Sequence, residues 1–152
     1  MKIGGFVEQK NLTLYSIVLE DKPGSAAEIL HIFGKKEINL SYITETSSPD
    51  NRAVLAFCVD TDVEDEIDKI LQEDIEFKSR AIKKREYVGI VGVYGPHFRE
   101  KPAVAAKFCF TLGKAGINIL GISSSISTIS CVIDIQEFDR AKNALLSLFE
   151  LP

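Results

Sequence analysis

Tryptophan is absent from this 152-residue chain, methionine occurs once, and no apolar run approaches the roughly 20 residues that a membrane-crossing helix needs. Lys, Asp, Glu or Asn interrupts every strand-like stretch, so no membrane span is expected. The segment Met1-Lys2-Ile3-Gly4-Gly5 runs into Phe6-Val7-Glu8-Gln9-Lys10 without the apolar core and small-residue cleavage site of a secretory signal, which predicts a cytoplasmic protein. Positive charge is also short. A net charge of −4 argues against a nucleic-acid surface, because phosphate binding needs a clustered positive field.

Cysteine and histidine are too few and too scattered for metal chemistry. Cys58, Cys109 and Cys131 are odd in number and sit in apolar surroundings, as in Ala56-Phe57-Cys58-Val59, so they read as reduced thiols in the core. Neither His31 nor His97 has the close Cys or His company of a metal site. No cofactor is expected. Gly89, Gly92 and Gly95 recur every third residue but lie along a strand, which fails the context required of a phosphate-cradling loop. No nucleophile with a base is visible either, and the expectation is a protein that is not an enzyme.

What the chain does have is a core and a repeat. Hydrophobic residues make up 45% of it, enough for one globular domain or two very small ones. Pro23-Gly24-Ser25-Ala26-Ala27 faces Pro102-Ala103-Val104-Ala105-Ala106, Gly34-Lys35 faces Gly113-Lys114, and Ile38-Asn39-Leu40 faces Ile117-Asn118-Ile119, all at an offset of 79. Ile43 and Ile122 keep that offset. One register therefore runs through a turn, a helix and a strand.

Each copy yields the same elements. Leu12 to Leu19 has the content of a buried strand, ended by the turn chemistry of Asp21-Lys22-Pro23-Gly24. Ala26, Ile29, Leu30 and Phe33 recur at i, i+3, i+4 and i+7, one buried helical face, and Gly34 with Lys35 and Lys36 marks the helix end. Ile38 to Thr46 and Ala53 to Val59 predict a hairpin about Ser48-Pro49-Asp50-Asn51. Val63, Ile67, Ile70 and Leu71 stripe an acidic helix, and Ile75-Glu76-Phe77-Lys78 begins a fourth strand. The second copy runs through Tyr87 to Tyr94, a longer loop, a helix striped by Val104, Phe108, Leu112 and Ala115, strands Ile117 to Ser124 and Ile129 to Ile135, and a helix striped by Phe138, Ala141, Leu145 and Leu148. No fourth strand follows there, so residues near Gly5 to Gln9 are expected to supply it.

The fold class expected is α+β: two ferredoxin-like βαββαβ modules with antiparallel sheets and the helices on one face. Residues 11–84 form the first, residues 85–152 the second, and residues 1–10 the strand that completes the second. Lys78, Arg80, Lys83, Lys84 and Arg85, interleaved with Phe77, Ala81 and Ile82, read as a strand with one solvated face, defended at a sheet edge by its charges.

Leu19-Glu20-Asp21-Lys22-Pro23-Gly24, followed by Gly34 and Ile38-Asn39-Leu40, resembles the ACT domain, an effector-binding module of amino-acid metabolism. Val91-Gly92-Val93, Pro102-Ala103-Val104-Ala105-Ala106, Ala115-Gly116-Ile117-Asn118-Ile119 and Ile122-Ser123-Ser124-Ser125 resemble the C-terminal regulatory half of aspartokinases. Ala103 stands where those regions usually have Gly, and Ile126 where an acidic residue is common. The chain has no room for a kinase domain. The resemblance implies a free amino acid as effector, bound at module interfaces, with Asn39 and Asn118 as the usual contacts. It also implies a homodimer, or a regulatory subunit that assembles with a separate amino-acid biosynthetic enzyme such as an aspartokinase.

The chemistry of such binding is simple. The amides of Gly24, Ser25 and Ala26 after Pro23 suit a carboxylate at a helix N-terminus. Asp21, the Asn39 side-chain oxygen and the backbone of Ile38 and Leu40 suit an ammonium group. An equivalent second site would use Ala103, Val104, Asn118, Ser123 and Ser125, with His97-Phe98-Arg99-Glu100 as a secondary contact. The structural alternatives stay open: Asp21 as a helix cap, and each Asn as the closure of a helix-to-strand corner.

Overall fold

The computed structural model describes residues 1–73, 81–96 and 98–152. The fourth-strand start at Ile75 to Lys78, the basic residues Lys78 and Arg80, and His97 lie outside them. Two compact units emerge, one of residues 12–86 and one of residues 1–11 with 87–152.

In the unit of residues 12–86, β1 (Gly5–Glu20, its later part), α1 (Ser25–Lys35), β2 (Tyr42–Ser48), β3 (Arg52–Asp60), α2 (Glu64–Glu73) and the start of β4 (Ile82–Tyr94) follow in order. The sheet runs β2-β3-β1-β4. Both β1 with β3 and β2 with β3 pair antiparallel, Tyr15 facing Phe57 and Ile43 facing the same residue from the other side. Period-two alternation places Tyr15, Ile17 and Leu19 in the core, and period-3.6 spacing adds Ile29 and Phe33 of α1 and Ile67, Ile70 and Leu71 of α2. The Tyr15 ring stacks on Phe57 with centroids 5.4 Å apart, and Phe33 meets Phe57 edge-on at 5.2 Å.

In the other unit, the early part of β1, the later part of β4, α3 (Val104–Lys114), β5 (Gly121–Ser124), β6 (Thr128–Asp134) and α4 (Phe138–Leu148) repeat the plan. The sheet order is β1-β4-β6-β5, with β4, β6 and β5 antiparallel in turn. Val91, Val93, Phe108, Leu112, Cys131 and Leu145 are among its fully buried side chains. Gly92 passes so close to β6 that a Cβ there would lie 2.6 Å from the Ile129 carbonyl. What reads as separate runs at Gly5 to Gln9 and Leu12 to Leu19 is one strand, with Asn11 at φ 60° in its middle. Among the described residues no helix is long and apolar enough to cross a membrane.

The ends of α1 and α3 are set by left-handed residues. Gly24 (φ 88°) precedes α1 and Ala103 (φ 68°) precedes α3, at the repeat offset. At the far ends the left-handed residue is Glu37 (φ 55°) and its counterpart Gly116 (φ 75°), and α1 ends at Lys35 with Lys36 as its C-cap, within the Gly34-Lys35-Lys36 stretch that marks the end in the sequence. The Ile38 amide reaches back to the Phe33 carbonyl (3.0 Å) and the Glu37 amide to Gly34 (3.1 Å), the double bond of a Schellman end; Ile117 to Leu112 and Gly116 to Gly113 repeat it. This corrects the strand starts. The amides of Ile38 and Ile117 belong to the caps, so the strands begin only at Tyr42 and Gly121.

A side chain at positive φ is strained, and that cost is measurable. Ala103→Gly and Glu37→Gly should each raise unfolding free energy by about 1 kcal/mol, while Gly24→Ala, with open space around its Cβ, should lower it by about as much. Urea denaturation of the three variants decides this, and a loss of stability in both glycine variants would contradict the strain.

Candidate functional site

The loop Asp21 to Ala26 hands β1 over to α1. The Asp21 amide donates to the Asn51 carbonyl in the β2–β3 turn (2.9 Å), which pins the loop beside that turn. Asp21 itself is exposed and does not cap α1: the Ncap is Gly24, without a side-chain hydrogen bond. Of the three amides proposed for a carboxylate, that of Ser25 already donates to the Lys22 carbonyl (3.3 Å). The Ser25 side chain is the unusual feature. Ser25 is only 7% exposed, and its Oγ has no hydrogen-bond partner among the described residues. A buried hydroxyl in that state costs on the order of 1–3 kcal/mol.

Ile38, Asn39 and Leu40 lie at the other end of α1. Eleven helical residues at about 1.5 Å each put roughly 16 Å between them and Ser25. One free amino acid cannot touch both ends, so the structure does not bring Asp21 and the Gly24 to Ala26 turn together with Asn39 in one chain. Asn39 and Asn118 are exposed. The corner each follows is closed by main-chain bonds, and nothing in it requires an asparagine side chain.

In the second module the structure does gather residues. Ala103 and Val104 at the start of α3 and Ser125 on the β5–β6 turn line one cavity of about 280 Å³, together with Lys101, Ser124 and Ile126. Asn118 and Ser123 are not part of its wall. Lys101 carries no signal in the sequence, and Ser124 and Ile126 enter it only through the aspartokinase-like motif, since the end of β5 and the turn after it meet the helix start only through the β-sheet. Val104 occupies the place of Ser25 in the repeat and is equally buried, at 7% exposure, but it is apolar and leaves no orphaned hydroxyl.

A second polar group lies in the first module. The Lys84 ammonium on β4 pairs with Glu64, with Asp68 of α2 at 2.7 Å, and with Glu86 at 3.4 Å. Thr13 donates to Glu64 (3.2 Å) and the Tyr15 hydroxyl donates to Asp68 (2.7 Å). Burial, then the Asp68 bond, push the Tyr15 phenol well above its ordinary pKa. Burial alone would raise the Glu64 carboxyl, but the hydrogen bonds to it, that of Lys84 first, and the Lys84 charge together outweigh burial and hold the group below its ordinary value. Asp68 and then Glu64 raise the Lys84 ammonium. Lys84 is therefore a clasp between β4 and α2 and not a free edge charge. Cys58 and Cys131 are pushed up to about 12 by burial, so neither is a thiolate at neutral pH.

Two α-helices on an antiparallel sheet, twice over, define a tandem effector-module architecture, and comparison with known proteins names it. ACT domain models match residues 16–76 and 91–149. The chain belongs to the ACT domain family, with two copies in tandem. It is 30% identical to the aspartokinase of Mycolicibacterium smegmatis over 136 residues, 88% of this chain and 32% of that protein. It is also 30% identical to the aspartokinase of Helicobacter pylori over 152 residues, 98% of this chain and 37% of that protein. The chain thus spans about a third of the length of the curated relatives it matches. A crystal structure of aspartokinase alpha and beta subunits contains a chain similar to it over 95% of this sequence and 97% of that one, with a TM-score of 0.84 and 27% identity. The ligand-free regulatory subunit of aspartate kinase from Thermus thermophilus shares the fold, with a TM-score of 0.83 at 23% identity over 95% of this chain and 97% of that one.

The Lys84 clasp has a pH signature. Glu64 titrates below its unfolded value, so its contribution is complete above the ordinary glutamate pKa and lost as the pH falls through the lower folded value. Lys84, held above its ordinary value, contributes throughout the neutral range. Lys84→Met should cost about 2 kcal/mol at pH 7, and the gap from the unaltered protein should narrow toward pH 3. An unchanged gap between pH 7 and pH 3 in urea melts would refute the pairing.

Proposed function

We propose that this chain is a non-catalytic, cytoplasmic regulatory protein that binds a free amino acid through its ACT domains and passes that signal to a separate aspartokinase-type catalytic chain. The single observation that supports it most directly is the partnerless, buried Ser25 Oγ at the N-terminus of α1. There the first-turn amides and the helix dipole favour a carboxylate, and a ligand oxygen would satisfy the hydroxyl. Gly24 leaves the approach open, since nothing lies within 4 Å of where its Cβ would be. Asn39, at the far end of α1, would meet a ligand only if a second surface faced it. We therefore assign the ligand carboxylate to the Pro23, Gly24, Ser25 and Ala26 turn and its ammonium group to Asp21 of the same chain, and place the completing contacts, Ile38, Asn39 and Leu40, on another copy in a homodimer.

The second module has the cavity and Lys101, with Ala103, Val104 and Ser125 on its wall, but among the described residues it has no buried side-chain polar atom without a partner. The first module is accordingly the primary site. Similarity to regulatory subunits of aspartate kinase supports the choice of partner.

The test is a thermal-shift screen of the purified chain against the free amino acids. A ligand at 100 times its dissociation constant adds about 2.7 kcal/mol, enough to read as a selective rise in Tm. Ser25→Ala should show opposite effects: the free protein gains about 1 kcal/mol because an unsatisfied hydroxyl is removed, while the ligand-induced shift disappears. Asn39→Ala should weaken the shift without stabilising the free protein. A chain that ignores every amino acid yet is stabilised by an aspartokinase catalytic chain would instead be a pure assembly subunit.

A further inference from the structure

The helix α3 carries a second stripe that its own core does not use. Val104, Phe108 and Leu112 are buried, whereas Lys107, Phe110, Thr111 and Lys114 recur at i, i+3, i+4 and i+7 on another face. Phe110 is 70% exposed. With Ala144 and Leu148 of α4 this stripe lines a groove of about 500 Å³ between the two helices. The fold does not demand it. At the repeat offset of 79, Phe110 corresponds to His31, Lys107 to Glu28 and Thr111 to Ile32, so the first module builds the same helix without a phenylalanine or a paired cation at these places.

Charge decides what fits there. Lys107 and Lys114 flank the ring, no acidic side chain lines the groove, and neither lysine has an ion-pair partner among the described residues. Two copies meeting through this face would set lysines against lysines, which disfavours self-association. The groove is concave, a shape that accepts a side chain of a helix and not the flat plane of a lipid surface. An exposed aromatic in an apolar hollow with a charged rim is the form of a binding hot spot.

We propose that the α3–α4 groove of the second module docks an amphipathic helix of a partner polypeptide, with an apolar side chain laid against Phe110 and carboxylates on Lys107 and Lys114. It rests on the reading that this chain acts on a separate protein, and it leaves the amino-acid site untouched. The test titrates the full chain, ¹⁵N-labelled, with two synthetic helical peptides of about 15 residues that share one leucine pattern, their flanking positions being all Glu in one and all Lys in the other. Vesicles of phosphatidylserine and phosphatidylcholine form a third arm.

The acidic peptide should shift the amide signals of Phe110, Thr111, Lys114 and Leu148 and bind at least tenfold tighter than the basic one. Phe110→Ser should weaken it about tenfold, and K107E with K114E should reverse the preference between peptides. All three positions are outside the core, so melting curves and the amino-acid response should be unchanged in these variants. Equal binding of both peptides, shifts confined to other surfaces, or no binding would overturn the proposal. Vesicles that compete for the same residues more tightly than the acidic peptide would reassign the face to membranes. Loss of the amino-acid response with peptide binding intact would sink only the effector reading.

Discussion

Left-handed residues bracket the first helix of each module, and much of the remaining geometry follows from them. A helix needs its first amides and last carbonyls satisfied. Here the chain enters through Gly24 or Ala103 and leaves through Glu37 or Gly116, with backbone bonds closing the far end in both copies. That entry turns Ser25 and Val104 inward and leaves the approach to the first turn open. The exit buries Ile38 and Ile117 and turns Asn39 and Asn118 outward. The same backbone thus parts the two groups of candidate residues, one at each end of a helix too long for a single amino acid to bridge.

Evolution has filled the two copies unequally on that shared frame. Ser25 against Val104 sets a polar side chain against an apolar one at identical burial. Glu28, His31 and Ile32 against Lys107, Phe110 and Thr111 separate a plain solvent face from one shaped for contact. Gly24 against Ala103 exchanges a relaxed turn for a strained one. One module has an orphaned hydroxyl at its first helix start, and the other an apolar groove between its two helices. The Lys84 clasp adds a third asymmetry, since it joins β4 to α2 in the first module through two carboxylates, Glu64 and Asp68.

A further repeat lies outside the constant offset of 79. Asp60 and Asp134 each end a strand and accept a hydrogen bond at 2.9 Å from the amide two residues on, starting the short turn before α2 and α4. Their offset is 74, not 79, because the hairpin of the second copy is shorter, and the loss of register hid the match. The left-handed residue that follows α1 is hidden for a different reason. Glycine is the usual left-handed residue, but Glu37 takes the role because Ile38 must drop onto Phe33, and core packing outweighs a local preference.

By itself the sequence determined the number and kind of elements, the twofold repeat and the ACT resemblance. Period and turn chemistry are local, and the copies corroborate one another. Tyr15, Ile29, Phe33, Phe108 and Leu145 are core residues on spacing alone. Only the tertiary structure decided which polar groups are in need of a partner. Whether Ser25 is solvated or orphaned, whether Lys84 points to water or to Glu64 and Asp68, and whether Phe110 sits inside or out depend on what a distant segment brings against them. Burial is a property of three-dimensional neighbours, and no window along the chain contains those neighbours.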